Sequence, residues 1–180
     1  GTRERLRSLA EDNRRIKVLM NSRNYGIDGR SGRNALKYVS GDAIITMACD
    51  FQDPPELIPE FINWWEEGYK VVCGMKTSSK EGWIKYHFRD LFYRIIDALS
   101  EIPQYRHISG ITLMDKIVLN EWLKTDYDYY LRFALADMGY NIKLIEYQQQ
   151  ERRTGKSSYN IWRYLTFAID STVATSRLPL

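Results

Sequence analysis

The sequence is poor in the residues that announce chemistry most directly. Two cysteines, Cys49 and Cys73, and two histidines, His87 and His107, occur among 180 residues. The cysteines sit in separate apolar runs without the short spacing of a metal knuckle or a redox pair. That excludes a zinc module and a dithiol enzyme and leaves a reduced, cytoplasmic compartment as the expectation. The histidines are far apart in sequence and read as structural, and no Ser/His/Asp or Cys/His nucleophile arrangement is present. No run reaches the ~18 apolar residues that cross a bilayer, and the charged start has no apolar signal region behind it, so the chain as it stands reads as soluble. Excess charge is scarce too: 26 Lys+Arg against 23 Asp+Glu leave +3, dispersed along the chain. A nucleic-acid partner, which needs a concentrated basic face, is excluded.

What the sequence does hold is aromatic surface: 13 tyrosines, 6 phenylalanines and 5 tryptophans, 13% of the chain. Such a load suits a thick core, a sugar-stacking surface or a membrane-interface belt, and composition leaves all three open. The length fits one domain at roughly 100–200 residues each. Helical periodicity alternates with short β-branched runs from end to end, the pattern of an α/β layered domain. Residues 3–13 read as a surface helix, 16–20 as a buried strand, 24–32 as a glycine-rich loop and 34–38 as a short helix stopped by Gly41. Strands are expected at 43–47, 69–73, 111–114 and 141–147. Leu57, Ile58, Phe61, Ile62 and Trp65 share one face of a helix that Gly68 should end. The longest helix is expected over 83–100, with others at 117–123, 130–138 and 160–176.

The densest chemistry is Met47-Ala48-Cys49-Asp50-Phe51-Gln52-Asp53-Pro54-Pro55-Glu56, a buried strand that delivers an oxygen-rich turn at its carboxyl end. Open α/β sheets bind ligands at that edge. Asp50 and Gln52 are two apart, so on an extended strand end both project to one side, and a hard divalent cation prefers such oxygens. A metal there would neutralise a diphosphate. The residues Asp53-Pro54-Pro55-Glu56 equally read as a helix start, with proline in the first turn and acids favoured by the dipole.

A second cluster, Glu151-Arg152-Arg153-Thr154-Gly155-Lys156-Ser157-Ser158-Tyr159, puts cations, a glycine and hydroxyls before a helix. That combination holds phosphate, or forms a solvated basic loop; it lacks the spacing of the nucleotide-binding P-loop. Lys76 and Lys80 follow a strand within reach of an anion.

Taken in order, Ser22-Arg23-Asn24-Tyr25-Gly26, Gly41-Asp42-Ala43, Asp50-Phe51-Gln52-Asp53-Pro54-Pro55-Glu56, and Arg152 with Gly155 and Ser157 resemble glycosyltransferase family 2. Within it, the likeness is to polyprenyl-phosphate glycosyltransferases similar to dolichol-phosphate mannose synthase, over nearly the whole chain. The resemblance implies an α/β GT-A fold, a Rossmann-like mixed and mostly parallel sheet flanked by helices, lacking the first nucleotide-binding strand. It implies inverting transfer of a sugar from a nucleotide-diphosphate sugar (UDP- or GDP-sugar) to a polyprenyl phosphate lipid, with Mg²⁺ or Mn²⁺. The setting would be the cytoplasmic face of the inner (plasma) membrane, in cell-envelope or O-antigen glycan synthesis; a homo-oligomer is compatible with it.

By position, Asp50 and Gln52 would bind metal and donor diphosphate, joined on the diphosphate by Lys156 and Ser157. Lys76, Lys80 and Arg152 would meet the acceptor phosphate, and catalysis would rest on Asp50 and Arg152. Residues 1–159 would form the catalytic domain and 160–180 an amphipathic juxtamembrane helix at the membrane surface. Gly1-Thr2 looks like the residues just after the family's Asp-Asp-Gly-Ser turn, so the half that holds the nucleotide base is expected to precede it.

Two positions depart from the family pattern. Ala48 stands first in its Asp-x-Asp, and Gly110 stands where many relatives carry an acid; nearby Asp115 is given no catalytic role. Transfer to a saccharide acceptor, or a non-catalytic homologue that binds nucleotide or membrane, are the alternatives.

Overall fold

Helices and strands are interspersed along the described residues, 1–23, 30–77, 108–125 and 131–150, of a computed structural model. The chain divides into two units, Gly1–Val39 and Ser40–Leu180. In the first, helix α1 (Thr2–Asp12) buries none of its residues, as its mostly charged sequence demands. Helix α2 (Arg30–Leu36) begins inside the stretch expected to be loop, because the roughly 1 kcal/mol penalty of a helical glycine, here Gly32, is small enough for context to override. Residues 16–20 do not form the expected strand. A strand persists through a ladder to a neighbour, and none of the described strands pairs with this run, whose Ile16 and Leu19 are exposed.

The second unit holds a mixed sheet of β1 (Ala43–Thr46), β2 (Val71–Lys76), β3 (Ile108–Asp115) and β4 (Ile142–Tyr147) in the order β1-β3-β2-β4. Strand β3 runs antiparallel to both β1 and β2, while β2 and β4 are parallel. Three strands therefore share a direction, and their carboxyl ends meet the amino end of β3 at one edge. β2 starts later than expected because the Tyr69 amide still closes the preceding helix, donating to the Trp64 carbonyl at 3.2 Å.

That helix, α3 (Ile58–Glu66), follows a 3₁₀ turn at Pro55–Leu57 and lays Phe61 against Val72, Ile111, Leu113, Ile145 and Tyr147. Burying such a phenylalanine contributes about 1.5–3 kcal/mol. Helix α4 (Lys116–Lys124) leaves β3 directly and buries Val118, Leu119 and Trp122; it packs against α5 (Leu131–Asp137). Gly68 and Gly139 follow α3 and α5 at φ 106° and 70°, the left-handed backbone that ends helices. The helices expected over 83–100 and 160–176, and the boundary at 159/160, lie outside the described residues. Among the described residues no helix is long and apolar enough to cross a membrane.

Candidate active site at the carboxyl edge of the sheet

Beyond β1 the chain does not stay extended. Residues 49–53 form a turn, and Phe51 adopts φ 59°, a left-handed backbone uncommon for any residue but glycine. The extended strand end on which the pairing of Asp50 with Gln52 was expected is therefore absent. Instead the Gln52 amide donates to Asp50 Oδ1 at 3.3 Å, an aspartate folding over its own turn. Both residues remain half-buried.

Asp53 is not a helix cap. Pro54 holds the cap position of the 3₁₀ turn without a side-chain bond, while Asp53 is 3% exposed and accepts a hydrogen bond from the Tyr147 hydroxyl. Its other oxygen faces Gly110, where an added Cβ would stand 3.3 Å from Oδ2. The backbone explains that approach. The β2–β3 register shifts between Cys73 and Met75, so residues 109–111 stand opposite Gly74 alone. Such bulges bend a strand and re-aim it, often beside a site.

From the other side β4 closes on the same turn. The Tyr147 carbonyl accepts from the Thr77 amide at 3.1 Å and the Thr77 hydroxyl at 3.2 Å, and the Gln150 amide donates to the Gln52 carbonyl at 3.0 Å. Lys76, at the carboxyl end of β2, is the ladder partner of Tyr147. Asp50, Gln52 and Lys76 thus share one edge. Lys80, Arg152, Lys156 and Ser157 lie outside the described residues. Asp53 and Tyr147 are members of the site that sequence reasoning missed. Asp53 lay within the motif but read as a helix start, and nothing marks Tyr147 beyond its place at a strand end.

The opposite edge is built differently. Asp115 caps α4 by accepting from the Ile117 amide at 2.9 Å, and its Oδ2 takes Trp65 Nε1 and Lys70 Nζ, each at 2.9 Å. Burial pushes its carboxyl up, but those donors and the Lys70 charge outweigh burial and hold it below the ordinary aspartate value. Cys73 is buried and its thiol is pushed up to about 11, so it stays protonated; Cys49 is exposed.

The sequence pattern of Glycosyl transferase family 2 matches residues 1–128. The chain belongs to that family. Its sheet and flanking helices are accordingly part of a GT-A fold. An uncharacterized glycosyltransferase of Synechocystis sp. is 31% identical over 181 residues, 99% of this chain and 57% of the relative. One from Bacillus subtilis is 32% identical over 170 residues, 92% of this chain and 52% of the relative. A prophage bactoprenol glucosyl transferase homolog of Escherichia coli is 28% identical over 147 residues, 81% of this chain and 48% of the relative. The chain thus spans about half the length of the curated relatives it matches. Family 2 enzymes use nucleotide-sugar donors and generally a divalent metal.

Proposed function

We propose that the protein containing this chain transfers a sugar from a nucleotide-diphosphate sugar to a polyprenyl phosphate, with inversion at the sugar carbon. The observation that carries this reading is the hydrogen bond from Gln150 to Gln52, which ties the run leading into Arg152 to the Asp50–Gln52 turn. Gln150, which directly precedes the basic cluster in sequence, thereby meets the Asp50–Gln52 turn from about a hundred residues away, at the edge where α/β sheets bind ligands. Relatives named bactoprenol glucosyl transferases, at 28–29% identity, support the lipid acceptor.

The donor set at the turn, carboxylate and amide oxygens, suits a hard cation, which commonly takes one or two carboxylates and completes its shell with substrate phosphates. Asp50 and Gln52 would hold Mg²⁺ or Mn²⁺, which when bound neutralises charge on the departing diphosphate. Lys156 and Ser157 would bind the donor diphosphate, and Lys76, Lys80 and Arg152 the acceptor phosphate. An acceptor phosphate oxygen forms the new bond to the sugar carbon as the bond to the diphosphate oxygen breaks. That oxygen is already anionic, so the step needs little help from a base, and Gly110 removes no indispensable proton acceptor. Most of the catalysis then falls to groups that stabilise developing negative charge.

This reading places the enzyme at the cytoplasmic face of a membrane, with residues 160–180 as its juxtamembrane helix. The test is transfer of labelled sugar from a panel of UDP- and GDP-sugars into organic-extractable polyprenyl phosphate by the intact protein, with and without Mn²⁺. Metal-dependent label in the lipid phase is expected; none from any donor would overturn the reading.

A further inference from the structure

We infer that Asp53 and Tyr147 form a buried positioning pair that clamps the end of β4 onto the Asp50–Gln52 turn and holds that turn in its strained geometry. What the turn presents rests on the glycosyltransferase reading above; the clamp itself does not.

The turn needs holding. Phe51 has a left-handed backbone and a side chain that leaves the residue 51% exposed, so burial of its own ring is a weak anchor. Strained backbone of this kind persists only where surrounding structure over-determines it, and it gathers at ligand sites. Immediately after Phe51 the turn is fastened twice, once to the end of β4 and once to the run that follows it. The Gln52 carbonyl takes the Gln150 amide at 3.0 Å, and Asp53 takes the Tyr147 hydroxyl across 94 residues of sequence.

The partner strand is itself fixed. Tyr147 packs in the core with Phe61, Val72 and Ile111, and its carbonyl receives both Thr77 bonds. Gly110 completes the arrangement. The bulge in β3 brings its backbone against Asp53, and the 3.3 Å left for a Cβ is tight enough that a side chain there would press on the carboxylate. Gly110 is thus the spacer that admits the pair. A buried carboxylate that takes a hydroxyl is also a directional restraint, because an unmet acceptor in a closed site is costly.

The test uses the intact protein and two readouts, amide hydrogen exchange at Gln150 and transfer kinetics. Tyr147→Phe keeps the ring and removes one hydroxyl. It should speed exchange at Gln150 and lower kcat roughly tenfold to a hundredfold, with KM for the nucleotide sugar within about threefold of wild type, the signature of misplacement. Asp53→Ala should do the same, and the double variant should be no worse than either single change. Asp53→Asn still accepts from Tyr147 and should recover most of the turnover lost in Asp53→Ala, an effect a generic loss of stability would not produce. Additive losses, an Asn variant as poor as Ala, or wild-type exchange at Gln150 in Tyr147→Phe would each overturn the clamp. If wild type transfers no sugar, the functional reading fails, while exchange at Gln150 still decides the clamp.

Discussion

Asp53 and Asp115 are both buried carboxylates of the same sheet unit, 3% and 6% exposed, and they stand near its opposite edges. Gly110, beside Asp53, and Asp115 belong to one strand and are separated along it by about 17 Å at ~3.4 Å per residue. Asp115 takes an amide, an indole and an ammonium group, and Lys70 balances its charge. Among the described residues Asp53 takes a single hydroxyl, from a strand distant in sequence, and its second oxygen faces a glycine. An acid surrounded by local donors at a strand-to-helix junction serves the fold. An acid paired to one remote hydroxyl beside a strained turn serves the arrangement of a site.

The sharpest way to break this comparison is to remove an acid from each edge. At the site edge, Asp50→Ala should lower turnover about 10²–10³-fold, the scale of losing one preorganised electrostatic partner of a developing charge, and leave the unfolding midpoint where it was. At the other edge, Asp115→Ala should cost about 1–2 kcal/mol of stability by urea titration, because a helix cap is lost and the half-buried Trp65 indole goes unmet; transfer per folded molecule should be retained.

The sign of the pH dependence follows from the depressed carboxyl of Asp115. The unfolded chain takes up that proton at higher pH than the folded one, so the contribution is complete at neutral pH and is lost as pH falls below the ordinary aspartate range. Asp115→Asn should therefore flatten the acid limb of the stability curve. The smallest effect is expected for Lys70→Met. Lys70 is 44% exposed in the side chain, and half-solvated ion pairs contribute roughly 0.2–1 kcal/mol.

Much of the sheet was legible in advance because β-branched runs at 43–47, 111–114 and 141–147 have few alternatives once helices flank them. The site's edge was legible for the same reason, since the carboxyl ends of such strands receive ligands. The shape of the turn was not. Nothing in Asp50-Phe51-Gln52 signals a left-handed backbone, and no glycine or asparagine marks it. The contacts that fix it arrive from β4, and no local rule carries information across that separation. The run at 16–20 failed in the opposite sense: its composition suits a strand, but a strand also needs a neighbour. Gly110, conspicuous as a missing acid, is explained by a bulge and a close approach that only the register of β2 and β3 discloses.

The central claim, that the donor diphosphate and its cation are held at the edge of Asp50, Asp53 and Tyr147, is tested most directly by paramagnetic broadening. Mn²⁺ with a nucleoside diphosphate, added to the intact isotope-labelled protein, should broaden the amide signals of Gln52, Asp53, Gly110 and Gln150. Those of Trp65, Asp115 and Ile117 should stay sharp. Broadening centred on Asp115, or spread equally over both edges, would contradict the account.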